Sequence, residues 1–148
     1  LSMRFIDSNI FLRHLLKDHS EQSPACFALI RDIEQGREQV WTTDLVVSEI
    51  VFVLSSKKLY NLDRERIREL LLPLIELPGI KLPQKRLYRR VFELYTTQPI
   101  DYVDAFNAAC LEHQPVTELY SYDKDFDRVE SISRIEPPSA NSEESAQQ

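Results

Sequence analysis

Short apolar runs alternate along this chain with longer stretches in which apolar residues recur at helical spacing. Residues 3–6 (MRFI) form an apolar-rich strand candidate. Asp7, Ser8 and Asn9 follow as turn and helix-cap residues before Ile10, Phe11, Leu15 and Leu16 resume at helical period. A second helix is expected to open with Ser23 as its cap and Pro24 in its first turn, and to stop near Gly36. Residues 40–42 read as a second strand, followed by a helix over about residues 45–58 with Asp44 as cap. Asp63 caps a fourth helix, in which Ile67, Leu70, Leu71, Leu74 and Ile75 make one apolar stripe that Pro73 should kink or end. Pro78 and Gly79 turn the chain into a brief strand at 80–82, and Leu87, Val91, Leu94 and Tyr95 mark the next amphipathic helix. After Pro99, Asp101 caps a helix running to about His113. Residues 119–122 are the clearest late strand, and 132–135 add an edge strand.

Strands that alternate with helices predict a parallel sheet covered on both faces, with right-handed crossovers that gather ligand-binding residues at the carboxyl ends of the strands. Met3 reads as the natural start, so Leu1 and Ser2 are left out of the fold, and one domain is expected over residues 3–136. From Pro137 onward polar residues replace apolar ones, so residues 137–148 are expected to form a disordered acidic tail that cannot offset its ordering entropy.

Composition narrows the class. The 148 residues are 43% hydrophobic and 28% charged, enough for one ordinary core without disulfides or structural metal. The longest apolar stretch, residues 45–54, is interrupted by Ser48 and Glu49 and is about half the ~20 residues a membrane-spanning helix requires. With no secretory signal pattern, and with Cys26 and Cys110 in no metal-like spacing, a reducing cytoplasm is the expected compartment. The net charge of −6 does not advertise nucleic-acid binding. A polyanionic substrate would have to be held by a metal and by local basic groups such as Lys85, Arg86, Arg89 and Arg90, a run that otherwise reads as a solvated helix face.

The chemistry-bearing residues are acids. Asp7 and Asp123 each follow a strand candidate, FI and LYSY, so both carboxylates should emerge at one end of a parallel sheet. Taken singly, such residues are turn or capping groups. Glu49 lies between Val46, Val47, Ile50, Val51, Val53 and Leu54, in a helix apolar enough to be largely buried, where an unpaired carboxylate costs several kcal/mol and needs a partner. Pairing with a Lys or Arg, or a position at the end of the buried stripe that still reaches water, would also meet that need. Asp104, at the third helical position after Asp101, stabilises a helix amino terminus if it does nothing else. Gathered in one pocket, the four would repel unless a cation neutralised them. Hard oxygen ligands without Cys or His select magnesium or manganese over zinc. Such ions promote phosphodiester cleavage without a side-chain nucleophile. His14, His19 and His113 fall in unrelated segments and offer no acid–base pair. Tyr60, Tyr88 and Tyr102 are candidates for stacking on single-stranded RNA, although buried packing is the commoner fate of such residues. A phosphatase with Asp7 as nucleophile is the enzymatic alternative, and Asn9 counts against it because the acid–base Asp two residues on is missing.

FIDSN, VVSEIV, DYVDAFNAA and SYDKDFDRV, in this order and spacing, resemble the PIN-domain nucleases over about residues 3–135. The resemblance implies an α/β fold, a three-layer α/β/α sandwich around a central parallel sheet of four or five strands. It implies that Asp7, Glu49, Asp104 and Asp123 bind one or two magnesium or manganese ions, with Asn9 and Ser121 in supporting positions. Asp125 and Asp127 match less certain positions and are taken as surface or capping residues. The compact length is similar to that of the VapC-type toxins, which implies an endoribonuclease acting on RNA, a homodimer, and inhibition by a cognate antitoxin. A non-toxin RNA-processing nuclease and a catalytically silent interaction module share the same resemblance. RNA target and cleavage sequence are not legible.

Overall fold

The protein is described over residues 2–140 by a computed structural model. The elements run β1 (Arg4–Phe5), α1 (Ser8–Leu16), α2 (Gln22–Glu34), β2 (Val40–Trp41), α3 (Asp44–Ser55), α4 (Arg64–Ile75), β3 (Ile80–Lys81), α5 (Tyr88–Thr97), α6 (Tyr102–Glu112), β4 (Glu118–Tyr120) and β5 (Ser133–Ile135). A 3-10 turn, Lys85–Leu87, leads directly into α5, and a second, Lys124–Arg128, joins β4 to β5. The alternation of strands and helices is the expected α/β fold, and every strand pair is parallel.

The strands fall into two ladders, β1-β2-β3 and β4-β5, where one continuous sheet was expected. With two or three residues each they contribute few ladder hydrogen bonds, so the helices packed on them supply most of the cohesion. Leu54, Ile67, Leu71, Tyr88, Val91, Phe92, Ala105 and Ala109 are fully buried, which centres the core on α3, α4, α5 and α6.

Local chemistry explains most boundaries. Asp63 accepts from the Arg66 amide at 2.8 Å and opens α4 as predicted. The cap of α3 is Thr43 rather than Asp44. Its hydroxyl accepts from the Val46 amide at 3.3 Å, and Asp44 moves into the first turn, where its charge meets the positive end of the helix. Ser23 is likewise not a cap, because α2 begins one residue earlier and the Ser23 hydroxyl accepts from the His19 amide instead. Gly36, at φ 78°, follows α2 in the left-handed region that suits glycine just beyond a helix end. Pro73 does not interrupt α4, which ends two residues later. Asp101 occupies the cap position of α6, but its side chain makes no capping bond.

α3 is not buried all round. Val47, Ile50, Val51 and Leu54 face the core, whereas Leu45, Glu49 and Phe52, four and three residues apart, share an outward face with Leu45 82% exposed. Residues 137–140 are exposed and form neither helix nor strand. The rest of the expected tail, 141–148, lies outside the described residues.

Candidate active site

The carboxyl end of β1 is pinned to β2. The Ile6 amide donates to the Trp41 carbonyl at 3.0 Å, and the buried Thr42 hydroxyl donates to the Ile6 carbonyl at 2.9 Å. Asp7 comes next, exposed, in extended backbone at the cap position of α1. Its side chain makes no capping bond, and Asn9 is exposed beside it in the first turn. At the end of β4 the Asp123 amide donates to the Ser121 hydroxyl at 3.0 Å. One Asp123 carboxylate oxygen accepts from the Asp125 amide at 2.9 Å, so a tight polar turn orients this acid.

Asp104 stands in the first turn of α6, partly buried. Its pKa is raised by burial first and then by the charges of Asp123, Asp101 and Asp125, and its carboxyl lies within hydrogen-bonding reach of Asp123. The structure therefore brings Asp104 and Asp123 together, with Asp101 as an additional acid that sequence reasoning took only for a cap. The DYVD spacing, which sets acids three apart on one helix start, was the available signal. Among the described residues no three His, Cys, Asp or Glu side chains stand close enough to hold a metal ion together. Glu49 is exposed, so the buried, partner-seeking carboxylate expected of it is not found. The apolar residues around it occupy the other side of α3.

The charge balance is more telling. Among the described residues Asp7, Glu49, Asp101, Asp104 and Asp123 form no ion pair. Other acids are matched, as Asp32 is by Arg37, Glu76 by Arg89 and Glu112 by Arg90, although Asp44, Asp63, Glu65 and Glu118 are also without an ion pair among the described residues. Asp125 and Asp127 pair with Arg128 and Arg134, consistent with surface roles. Uncompensated oxygen donors suit a hard divalent cation, so the donor chemistry fits magnesium or manganese although the side chains are not gathered into a ligand set.

A groove of about 720 Å³ adjoins Asp101 and Asp104, walled by α3 and α6 and lined in part by Phe52, Lys57 and Arg64. Arg64 shapes its floor. The guanidinium donates to the carbonyls of Tyr95, Gln98 and Ile100 at 2.8, 3.3 and 2.5 Å and lies over the Tyr95 ring at 4.4 Å. It thus fixes the turn from which α6 and its acids project.

Two sets of candidate substrate contacts are largely engaged elsewhere. The basic run around α5 is mostly occupied in holding the fold. Lys85 donates to the Leu77 and Ile80 carbonyls, Arg89 pairs with Glu76, and Arg90 pairs with Glu112 and Glu93. Tyr88 and Tyr102 are buried against Phe92, with ring centroids at 6.4 and 5.9 Å, because the amphipathic faces of α5 and α6 turn them into the core. Tyr60 is exposed, and its hydroxyl donates to Asp18 at 2.8 Å.

The model of the PIN domain matches residues 4–132, which spans every acid named above. The chain belongs to the PIN domain family. No curated protein matches it. PIN domains are generally metal-dependent nucleases, so the exposed, unpaired acids fall in a family whose usual chemistry is phosphodiester hydrolysis. Among the described residues no helix is long and apolar enough to cross a membrane.

Proposed function

We propose that this PIN domain is an endoribonuclease that hydrolyses RNA phosphodiester bonds with magnesium or manganese held by Asp7, Glu49, Asp104 and Asp123. The observation that carries the reading is the meeting of Asp104 and Asp123, neither ion-paired among the described residues, in a chain that belongs to the PIN domain family. A bound divalent ion would polarise the phosphoryl oxygen and ease deprotonation of the attacking water. The protein's own part is positional. The Ser121–Asp123–Asp125 turn aims one carboxylate, and Arg64 sets the start of α6 that carries Asp104. Asn9 and Ser121 support their neighbouring acids. The raised Asp104 pKa reflects burial first and then the crowding of unneutralised carboxylates, and a cation would relieve the second cost.

The finer reading, on the strength of the VapC-like motif order, is a homodimeric toxin of a toxin–antitoxin pair, active in the cytoplasm and silenced by an antitoxin that sets a cation against the acids. Incubating single-stranded RNA with the purified chain tests the enzyme directly. Cleavage should require magnesium, stop with chelator, and leave 5′-phosphate and 3′-hydroxyl ends, since no histidine stands at the acids to activate the ribose 2′-hydroxyl. Asp104→Asn should lower the rate at least about a hundredfold with the fold retained. Cyclic phosphate products, or a wild-type rate in the variant, would defeat the proposal.

A further inference from the structure

Phe5 of β1, Trp41 of β2 and Lys81 of β3 stand side by side, since the register pairs Phe5 with Trp41 and Trp41 with Lys81. Side chains alternate along a strand, and Ile6, Val40 and Ile80 enter the core, so these three point to the opposite face. Phe5 and Trp41 remain 45% and 44% exposed, with ring centroids 4.8 Å apart at 64°. Two large rings left half in water forgo burial that folding would otherwise reward. Lys81 is exposed and has no ion pair among the described residues. It acts on another cation, Lys85, whose own pKa is lowered by burial and then by Lys81. Asp7 follows Phe5 in extended backbone, which puts it on the same face about 7 Å further along.

We propose that Phe5 and Trp41 form a stacking platform for an unpaired RNA base and that Lys81 takes the neighbouring phosphate, holding the substrate strand beside Asp7. The proposal rests on the nuclease reading above and names the part of the substrate that this face receives. A flat apolar ring joined to an anion matches both halves of the row, whereas a basic peptide would meet the bare ammonium of Lys81. Single-stranded RNA is specified because a duplex hides the faces of its bases.

Trp41 is the sole tryptophan of the chain, so its fluorescence reports on this face alone. The full chain is titrated in chelator, where no cleavage occurs, with a mixed-sequence RNA oligonucleotide and with its duplex. The single strand should quench Trp41 and the duplex should not. Phe5→Leu and Lys81→Ala should each weaken binding about tenfold, the lower part of what one lost stack or phosphate contact costs, and Lys81→Ala should flatten the salt dependence. With magnesium, the same variants should raise KM. Magnesium-dependent cleavage without quenching, or equal binding by both variants and wild type, overturns the platform and leaves the nuclease reading standing. Quenching without cleavage keeps the platform and removes the nuclease. Absence of both removes both. Trp41 emission that changes with protein concentration alone assigns the face to a second copy of the chain and ends the proposal.

Discussion

At Asp104 burial and three nearby carboxylates act in the same direction, so this acid carries most of the electrostatic strain of the site. His14 shows the opposite case. Its ring stacks on Phe27 with centroids 5.4 Å apart, its Nδ1 is buried without a hydrogen-bond partner, and burial followed by Lys17 lowers its pKa below the ordinary 6.5. A histidine kept neutral by folding contributes stability that is present above its unfolded value and lost as pH falls through the lowered folded value. Chelated protein should therefore lose melting temperature as pH drops below about 6.5. His14→Leu should lose less over the same interval. Parallel melting curves for the two proteins would exclude this role for His14. Nothing in the sequence distinguished His14 from the other histidines, because its burial depends on how α2 lies across α1.

Among the elements, α3 shows how an apolar run can mislead. Counting its valines and leucines predicts a largely buried helix, whereas the 3.6-residue period leaves Leu45, Glu49 and Phe52 on an open face. Caps were more legible, since Asp63 needed only its own neighbours, and Thr43 displaced Asp44 by a single residue. The junction of α2 with β3 is tighter than composition suggests. A Cβ on Gly79 would meet Ile33 Cγ2 at 2.8 Å and the Ile33 and Glu38 carbonyl oxygens at 3.0 and 3.1 Å. Two of those atoms are backbone and cannot swing aside. Gly79→Ala should destabilise the domain by about 1–3 kcal/mol, measured by urea denaturation. An unchanged midpoint would mean that the end of α2 is free to shift.

At the scale of the whole molecule, a net charge of −6 and a local surplus of unpaired acids both oppose binding of a polyanion. A divalent ion that binds only the folded arrangement should reverse part of that penalty. Saturation at a hundredfold excess over Kd corresponds to about 2.7 kcal/mol of added stability. Wild type should accordingly melt higher in magnesium than in chelator, and Asp123→Asn should lose most of the gain. Equal melting temperatures for wild type in the two buffers would show that the acids hold no ion together in the folded chain.

The order of strands and helices, the Asp63 cap, and the placing of Asp7 and Asp123 just beyond strands were determined by the sequence itself, because each depends on residues within a turn or two. Four short motifs in order were enough to place the chain in its family. Tertiary structure alone decided which acids meet, since Asp104 of α6 and Asp123 beyond β4 approach each other only in the folded chain. It also decided the exposure of Glu49, the burial of Tyr88 and Tyr102, and the capture of Lys85, Arg89 and Arg90 by structural partners. The row of Phe5, Trp41 and Lys81 is the furthest from the sequence. Its members lie some forty residues apart and become neighbours only because three two-residue strands pair in a single parallel register.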